Sequence, residues 1–441
     1  MRSRQRRGWG ATIRVIVDGA RVAVVVRGGV ILLIGIVFAG CGASHPRSSP
    51  NLTASPTTGL WDAPLHVRAS GLNPGAGVIV RAMATDQAGT RWSSQAVFTA
   101  DANGVADLTR EDATGLLSRL QPRPASASYF FPPDAAERIS LALVVSGRRV
   151  ASANVTRTLR SSVVSVRRLS LLRSGISGFY AVRRGAVRRT AVMILGGSEG
   201  GADPALAELL ASRGYPTLAL AYFGAPGLPP RLDRIPLEYF ARALLWLDRQ
   251  PAVDPGRVVV WGGSRGSEAA LLLGVHFPHL VHAVIALSPS SVVNGAIEAR
   301  ARLPARTSAW TLRGKQIAFS TARDDPTPSG SDARAIIPVE LIHGPILTVA
   351  GGFDRLWNSS GFAAAIHRRL IRDHDRWSHL NYYYAHAGHL VAIAIPNTAA
   401  AASAETVAGR RIRINTGGDP ASDDEARRQL WPHLLAFLRH V

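Results

Sequence analysis

Residues 258–274, VVVWGGSRGSEAALLLG, open as a run of β-branched residues and close as an Ala- and Leu-rich pattern. The first composition favours a strand and the second a helix. Between them sits Gly262-Gly263-Ser264-Arg265-Gly266. A Gly-x-Ser-x-Gly spacing at a strand-to-helix turn fits a nucleophile elbow. The turn strains the serine backbone, so its neighbours must lack bulk. The hydroxyl then stands above the sheet, with the positive end of the helix pointing at it. We read Ser264 as a nucleophile; the competing reading is a structural or phosphate-cradling turn.

Outward from the elbow, apolar runs alternate with helical segments. TAVMIL (190–195) precedes GGSEGGADPALAELLASRGY and PTLALAYF (216–223). PLEYFARALLWLDRQ (236–250) carries an apolar helical stripe, and HAVIALSPS and GPILTVAGGFD supply further strands. This alternation predicts a mostly parallel sheet with flanking helices over residues 170–441. Reactive groups in such sheets gather at the carboxyl ends of the strands. Residues 50–160 read differently. LHVRASGL, NPGAG and VIVRAMATDQAGTRWSSQAVFTADANGVADL are short alternating runs between Asp, Asn and Gly turns. That spacing predicts an all-β sandwich, with ASASYFFPPDAAE (125–137) as a loop.

An elbow serine needs a base, and the base an orienting acid. On this architecture they follow in the order Ser, Asp or Glu, His. Asp354 lies just beyond the strand GPILTVAGG and is the expected acid. Asp324, Asp325 and Asp332 lack a preceding strand. Eleven histidines follow Ser264. His276, His279 and His282 are too near it in sequence. His343 precedes the acid's strand, His367, His374 and His379 fall in helix or connection positions, and His433 and His440 lie in the last helix. NYYYAHAGHLVAIAIPN (381–397) carries a strand into a small-residue loop. It makes His389 the expected base, with His386 as its local rival. Two backbone N–H groups should meet the developing oxyanion. One belongs to Arg265, and the others are expected from Gly197, Ser198 and Glu199 in VMILGGSEGG. That loop could alternatively cradle phosphate, but no Lys-Ser/Thr pair follows it. No metal or organic cofactor is required.

The chain has 441 residues and 46% hydrophobic content, enough for two or more cores. Its net charge is +21, yet the basic residues are scattered arginines with a single lysine, Lys315. No nucleic-acid signature accompanies them, so no nucleic-acid partner is expected. An anionic envelope or a phosphorylated ligand suits the charge better. The amino terminus, MRSRQRRGWG, is basic; GGVILLIGIVFAG (28–40) is apolar; the single cysteine, Cys41, follows, then polar GASHPRSSPN. This order predicts a leader over residues 1–41 and export to the cell envelope. Val37-Phe38-Ala39-Gly40-Cys41 resembles a bacterial lipobox, which implies lipidation of Cys41 and a membrane anchor through it. A signal anchor with an incidental cysteine is one alternative; a start site placed too far upstream, leaving a cytoplasmic protein, is the other. A lone cysteine excludes an intrachain disulfide.

These motifs together carry a family resemblance. GLWDAPLHVRASGLNPGAGVIVRAMATDQAGTRWSSQAVFTADANGVADL, LGGSEGG, LALAYFGAPGLPPRLDRIPLEYFARALLWL, SAWTLRGK, IPVELIHGPILTVAGGFDRLWNS and YYYAHAGHL are similar to the acyl-CoA thioesterases and the bile acid-CoA:amino acid N-acyltransferase. The resemblance implies a multidomain chain: an immunoglobulin-like domain followed by an α/β-hydrolase domain. It implies a triad of Ser264, Asp354 and His389 and an acyl thioester or ester substrate, with acyl-CoA as the family's form. The family's nucleophile looks to be cysteine in the amino-acid transferase and serine in the thioesterases, so Ser264 favours hydrolysis; the alternatives are transfer to an amine or alcohol acceptor, an envelope carboxylesterase, and a non-catalytic lipid-binding lipoprotein. One departure is GLLSRLQP (115–122), which lacks the tryptophan of the family's version of that turn.

Overall fold

The computed structural model describes residues 49–85, 89–108, 115–123, 137–297, 305–322, 324–398, 404–407 and 410–441. It also describes a hairpin pairing Val15–Asp18 with Arg21–Val24. That hairpin belongs to a separate unit, residues 1–48, while residues 49–441 form one compact unit. Cys41, the apolar run 28–40 and most of the loop 125–137 lie outside the described residues.

The first part of the larger unit is two β-sheets. β1 (Asn51–Ser55), β3 (His66–Ser70) and β6 (Ala106–Asp107) make one, in the order β1-β3-β6. The other runs β2-β9-β8-β4-β5-β7, with β2 Thr58–Leu60, β4 Gly77–Thr85, β5 Arg91–Thr99, β7 Gln121–Arg123, β8 Glu137–Val145 and β9 Arg148–Thr158. Burial alternates strictly along β4: Val78, Val80, Ala82 and Ala84 point inward. They share one core with Leu52, Val67 and Ala69 of the smaller sheet and Ile139, Leu141 and Leu143 of β8. Period-two burial is what one covered sheet face requires. A one-turn helix, α1 (Gly115–Ser118), bridges β6 and β7.

The second part is an eight-stranded sheet. Its strands are β10 (Val164–Leu169), β11 (Ser177–Arg183), β12 (Arg189–Leu195), β13 (Thr217–Ala221), β14 (Val253–Gly263), β15 (Ala283–Leu287), β16 (Ile346–Gly351) and β17 (Leu380–Tyr384). Their order is β10-β11-β13-β12-β14-β15-β16-β17. The first two pairings, β10 with β11 and β11 with β13, are antiparallel; every later one is parallel. The sheet therefore begins at Val164, a few residues ahead of the expected boundary at 170. In β14, Val258 and Val260 enter one core while Val259 and Trp261 enter the other. A strand covered on both faces must be apolar throughout, which explains the unbroken run VVVW. Each such side chain contributes about 1.5–3 kcal/mol on burial.

α3 (Leu237–Asp248), α4 (Arg265–His276) and α5 (Ser359–Arg372) contribute to the core holding Val258 and Val260. α2 (Ala205–Ser212) and α6 (Pro420–His440) contribute to the core on the opposite face. That second core runs on into the two-sheet part, joining Trp61, Leu116 and Leu117 to Leu430 and Leu434 of α6. The junction is also polar. Asp62, 1% exposed at its side chain, accepts Arg213 Nε and Nη2 at 2.8 and 2.7 Å and Trp431 Nε1 at 2.8 Å. Asn397 Nδ2 donates to the Trp61 carbonyl at 2.9 Å.

Candidate active site

Ser264 sits where β14 turns into α4, with φ 54° and ψ −122°. Few non-glycine residues occupy that region, so the surroundings must over-determine it. A Cβ on Gly262 would stand 2.0 Å from the Gly266 carbonyl oxygen, and one on Gly266 would stand 2.2 Å from that of Leu195. Neither position accepts a side chain. The Ser264 N–H donates to the Leu287 carbonyl at 2.9 Å, and its own carbonyl accepts Ser267 N–H and Oγ at 2.9 and 2.6 Å.

Asp354 follows β16. Its Oδ1 accepts the N–H groups of Leu356 and Trp357 at 2.9 and 3.2 Å, and its Oδ2 lies 2.8 Å from His389 Nδ1. His389 opens a short 3-10 turn after the loop from β17, and its Nε2 lies 2.9 Å from Ser264 Oγ. The side chains of His389 and Asp354 are 4% and 2% exposed. Further hydrogen bonds brace the loops: His389 N–H donates to the Thr416 carbonyl, Gly418 N–H to the Phe353 carbonyl, and Ser288 Oγ to the His389 carbonyl. The edge of Trp357 packs on the imidazole, ring centroids 5.6 Å apart. The sequence-derived residues Ser264, Asp354 and His389 thus stand in one hydrogen-bonded line. A hydroxyl so placed can pass its proton to the imidazole as it attacks.

The other candidates lie elsewhere. His367 Nε2 meets Thr348 Oγ1 at 3.0 Å, and His379 Nδ1 accepts the Ile346 N–H at 3.1 Å. His433 stacks on Tyr382, and His440 bonds the Ala436 carbonyl within α6. Asp332 accepts bonds from Ser320, Thr321 and Ala322.

The glycine loop after β12 approaches Ser264 closely: a Cβ on Gly197 would lie 3.1 Å from Ser264 Cβ. The Gly197 N–H is not directed at open space, because Glu199 folds its carboxylate back and accepts it at 2.8 Å. Sequence reading counted Glu199 only for its backbone and missed this role for its side chain. Arg265 N–H is the first of α4 and has no acceptor within the helix. Its guanidinium is turned away, held by the carbonyls of Asn294 and Gly295 and by buried Glu268.

Two further residues escaped sequence reading. Tyr222, fully buried, donates to the carbonyls of Gly196 and Gly197 at 2.6 and 3.2 Å and so fixes the loop. Burial holds its hydroxyl well above the usual tyrosine pKa. Asp423 of α6 accepts the Gly388 N–H at 2.6 Å, one residue before His389. Burial pushes its carboxyl up to about 6, against the pull of the Gly388 N–H and Arg427. A signal for Tyr222 existed, since it follows a strand directly; Asp423 had none.

Ser264 and His389 open into a cavity of about 490 Å³ whose walls include Ile194, Leu206, Trp261, Leu390, Ile393 and Ile395. Its size and apolar lining suit a small-molecule site. Among the described residues, no cluster of three or more His, Cys, Asp or Glu could hold a metal.

The mostly parallel sheet, the elbow and the acid and histidine loops at its carboxyl edge define an α/β-hydrolase. Two family models match the chain: "BAAT / Acyl-CoA thioester hydrolase C terminal" over residues 235–441 and "Acyl-CoA thioester hydrolase/BAAT N-terminal region" over residues 62–170. The chain belongs to this family of acyl-CoA thioester hydrolases and bile acid-CoA:amino acid N-acyltransferases. It is 27% identical to the bile acid-CoA:amino acid N-acyltransferase of Homo sapiens, covering 88% of this chain and 97% of that one. It is 26% identical to acyl-coenzyme A thioesterase 3 of Mus musculus, covering 89% and 95%. A solved prolyl endopeptidase structure aligns with a TM-score of 0.41 at 14% identity, covering 89% of this chain and 53% of that one.

Proposed function

We propose that this protein is a serine hydrolase that cleaves acyl thioesters. The observation that carries the reading is the line Ser264 Oγ, His389 Nε2, His389 Nδ1, Asp354 Oδ2 at the mouth of an apolar cavity. The acyl chain lies in the cavity with its carbonyl carbon at Ser264. His389 takes the serine proton as Oγ attacks, and Asp354 holds the imidazole in the tautomer that can accept it. The tetrahedral oxyanion is met by the Arg265 N–H and the 197–199 loop. His389 then protonates the departing thiolate. In the second half, a water loses its proton to His389 and attacks the acyl-serine; the C–Oγ bond then breaks, His389 returns the proton to Ser264 Oγ, and the carboxylic acid leaves.

Serine at the elbow favours water over an amine acceptor, because an oxygen ester aminolyses less readily than a thioester. Relatives named as N-acyltransferases keep transfer to an amine as the second reading. A panel of acyl-CoAs and simple esters, assayed with and without amino acids, separates the two by product. Ser264→Ala should lower turnover by about 10⁶-fold if the three residues act as a unit. A loss of only a few-fold would remove Ser264 from the mechanism.

The amino-terminal family match and the two sheets sharing a core support reading residues 50–160 as an immunoglobulin-like domain. The order of basic, apolar and cysteine-containing segments supports export and lipidation at Cys41. Loss of radiolabelled fatty-acid incorporation in Cys41→Ala cells tests the latter, and incorporation that persists would sink it.

A further inference from the structure

The side chain of Glu199 covers an N–H of the glycine loop beside Ser264. Its Oε1 accepts the Gly197 N–H at 2.8 Å. Its Oε1 and Oε2 lie 2.6 and 2.9 Å from where a Cβ would sit on Gly196 and Gly197. The Gly197 position is itself 3.1 Å from Ser264 Cβ. The backbone beneath is held still by Tyr222, which donates to both glycine carbonyls. The loop is therefore fixed, while the glutamate that covers it is exposed to solvent.

We propose that Glu199 is a specificity-determining residue that closes the oxyanion site of the free enzyme to anions, and that the acyl carbonyl displaces it. This inference rests on the reading of Ser264 as nucleophile. A carboxylate on an N–H donor forms a charge-assisted bond and repels a second anion at the same place. A neutral acyl carbonyl meets less repulsion and competes for Gly197 as Glu199 swings into water. When the acid product forms, Glu199 returns to Gly197, and two carboxylates then face one site. The residue discriminates by charge, admitting the uncharged thioester and expelling the charged product.

Two probes report on this. n-Butylboronic acid adds to Ser264 Oγ, the serine proton passes to His389, and a tetrahedral anion forms with an oxygen in the oxyanion site. Hexanoate mimics the acid product. Glu199→Ala should tighten the Ki of both by roughly threefold to tenfold, the worth of one hydrogen bond at an exposed site. Glu199→Gln, which keeps the acceptor and removes the charge, should tighten both in the same direction. KM for a neutral thioester should move less than either Ki. Damage to the loop would weaken binding, so tightening is not a structural side effect. Ki values unchanged within twofold, or weaker, in Glu199→Ala overturn the inference. If Ser264→Ala abolishes boronate inhibition in that case, the nucleophile assignment stands alone. Boronate inhibition that survives Ser264→Ala would instead overturn that assignment.

Discussion

Asp354→Asn isolates the electrostatic part of the site from its shape. Asp354 Oδ1 already serves two backbone donors, Leu356 and Trp357 N–H, while Oδ2 serves His389 Nδ1. Asparagine has a single oxygen. Left on the two backbone donors, it satisfies both and turns its NH₂ toward His389. Two donors would then face one another across 2.8 Å, so the imidazole must shift its proton to Nε2. That proton points at Ser264 Oγ, 2.9 Å away, and the lone pair that should receive the serine proton is gone. The loss expected from a trapped tautomer is about 10⁴-fold in kcat, or about 5 kcal/mol of barrier. Thiol release from an acyl thioester, followed by a chromogenic reagent, measures it. Urea melts should overlay wild type, since every loop bond is kept. A folded Asp354→Asn enzyme within tenfold of wild type would refute this account of the acid.

Asp423 gives a pH signature. Its folded pKa of about 6 lies above the unfolded value of about 3.9. A raised acid favours the fold when protonated. Its contribution is full below about pH 4, falls as pH climbs through 6, and is flat above that, a loss of about 3 kcal/mol. Asp423→Asn keeps an acceptor for Gly388 and should flatten that part of the urea-stability profile; an unchanged slope from pH 4 to 6 would contradict it. Asp62→Ala releases the part-exposed Arg213 to water and strands the Trp431 N–H, and should cost about 1–2 kcal/mol in equilibrium denaturation. A loss below about 0.5 kcal/mol, the usual bound for surface changes, would mean the junction tolerates the vacancy.

Much of the site is local in the chain. Ser264 is announced by two glycines whose Cβ positions are blocked by backbone, and Asp354 and His389 each follow a strand that must end at the same edge of the sheet. The supporting contacts are not local. Gly388 and Asp423 meet across 35 residues, and nothing in SDDEARRQL marks which carboxylate reaches Gly388. The side chain of Glu199 was illegible for the opposite reason: it bonds two residues back on its own loop, a choice of rotamer that no pattern encodes. The boundary moved to residue 164 because VSVRRL, whose adjacent arginines break the alternation, gives no strand signal of its own. Its register is set by pairing with β11, which periodicity alone does not show.

Helix α6 has a consequence for how the molecule can be divided. One end of it, at Asp423, holds the loop of His389; further along, Trp431 is bound by Asp62 of the two-sheet part, and Leu430 and Leu434 share that part's core. Dissection at the boundary between the two parts would bare this flank of the helix to water and loosen the element that steadies the histidine. The two-sheet part is thus a structural wall of the hydrolase, and substitutions in it can alter turnover without ever touching substrate.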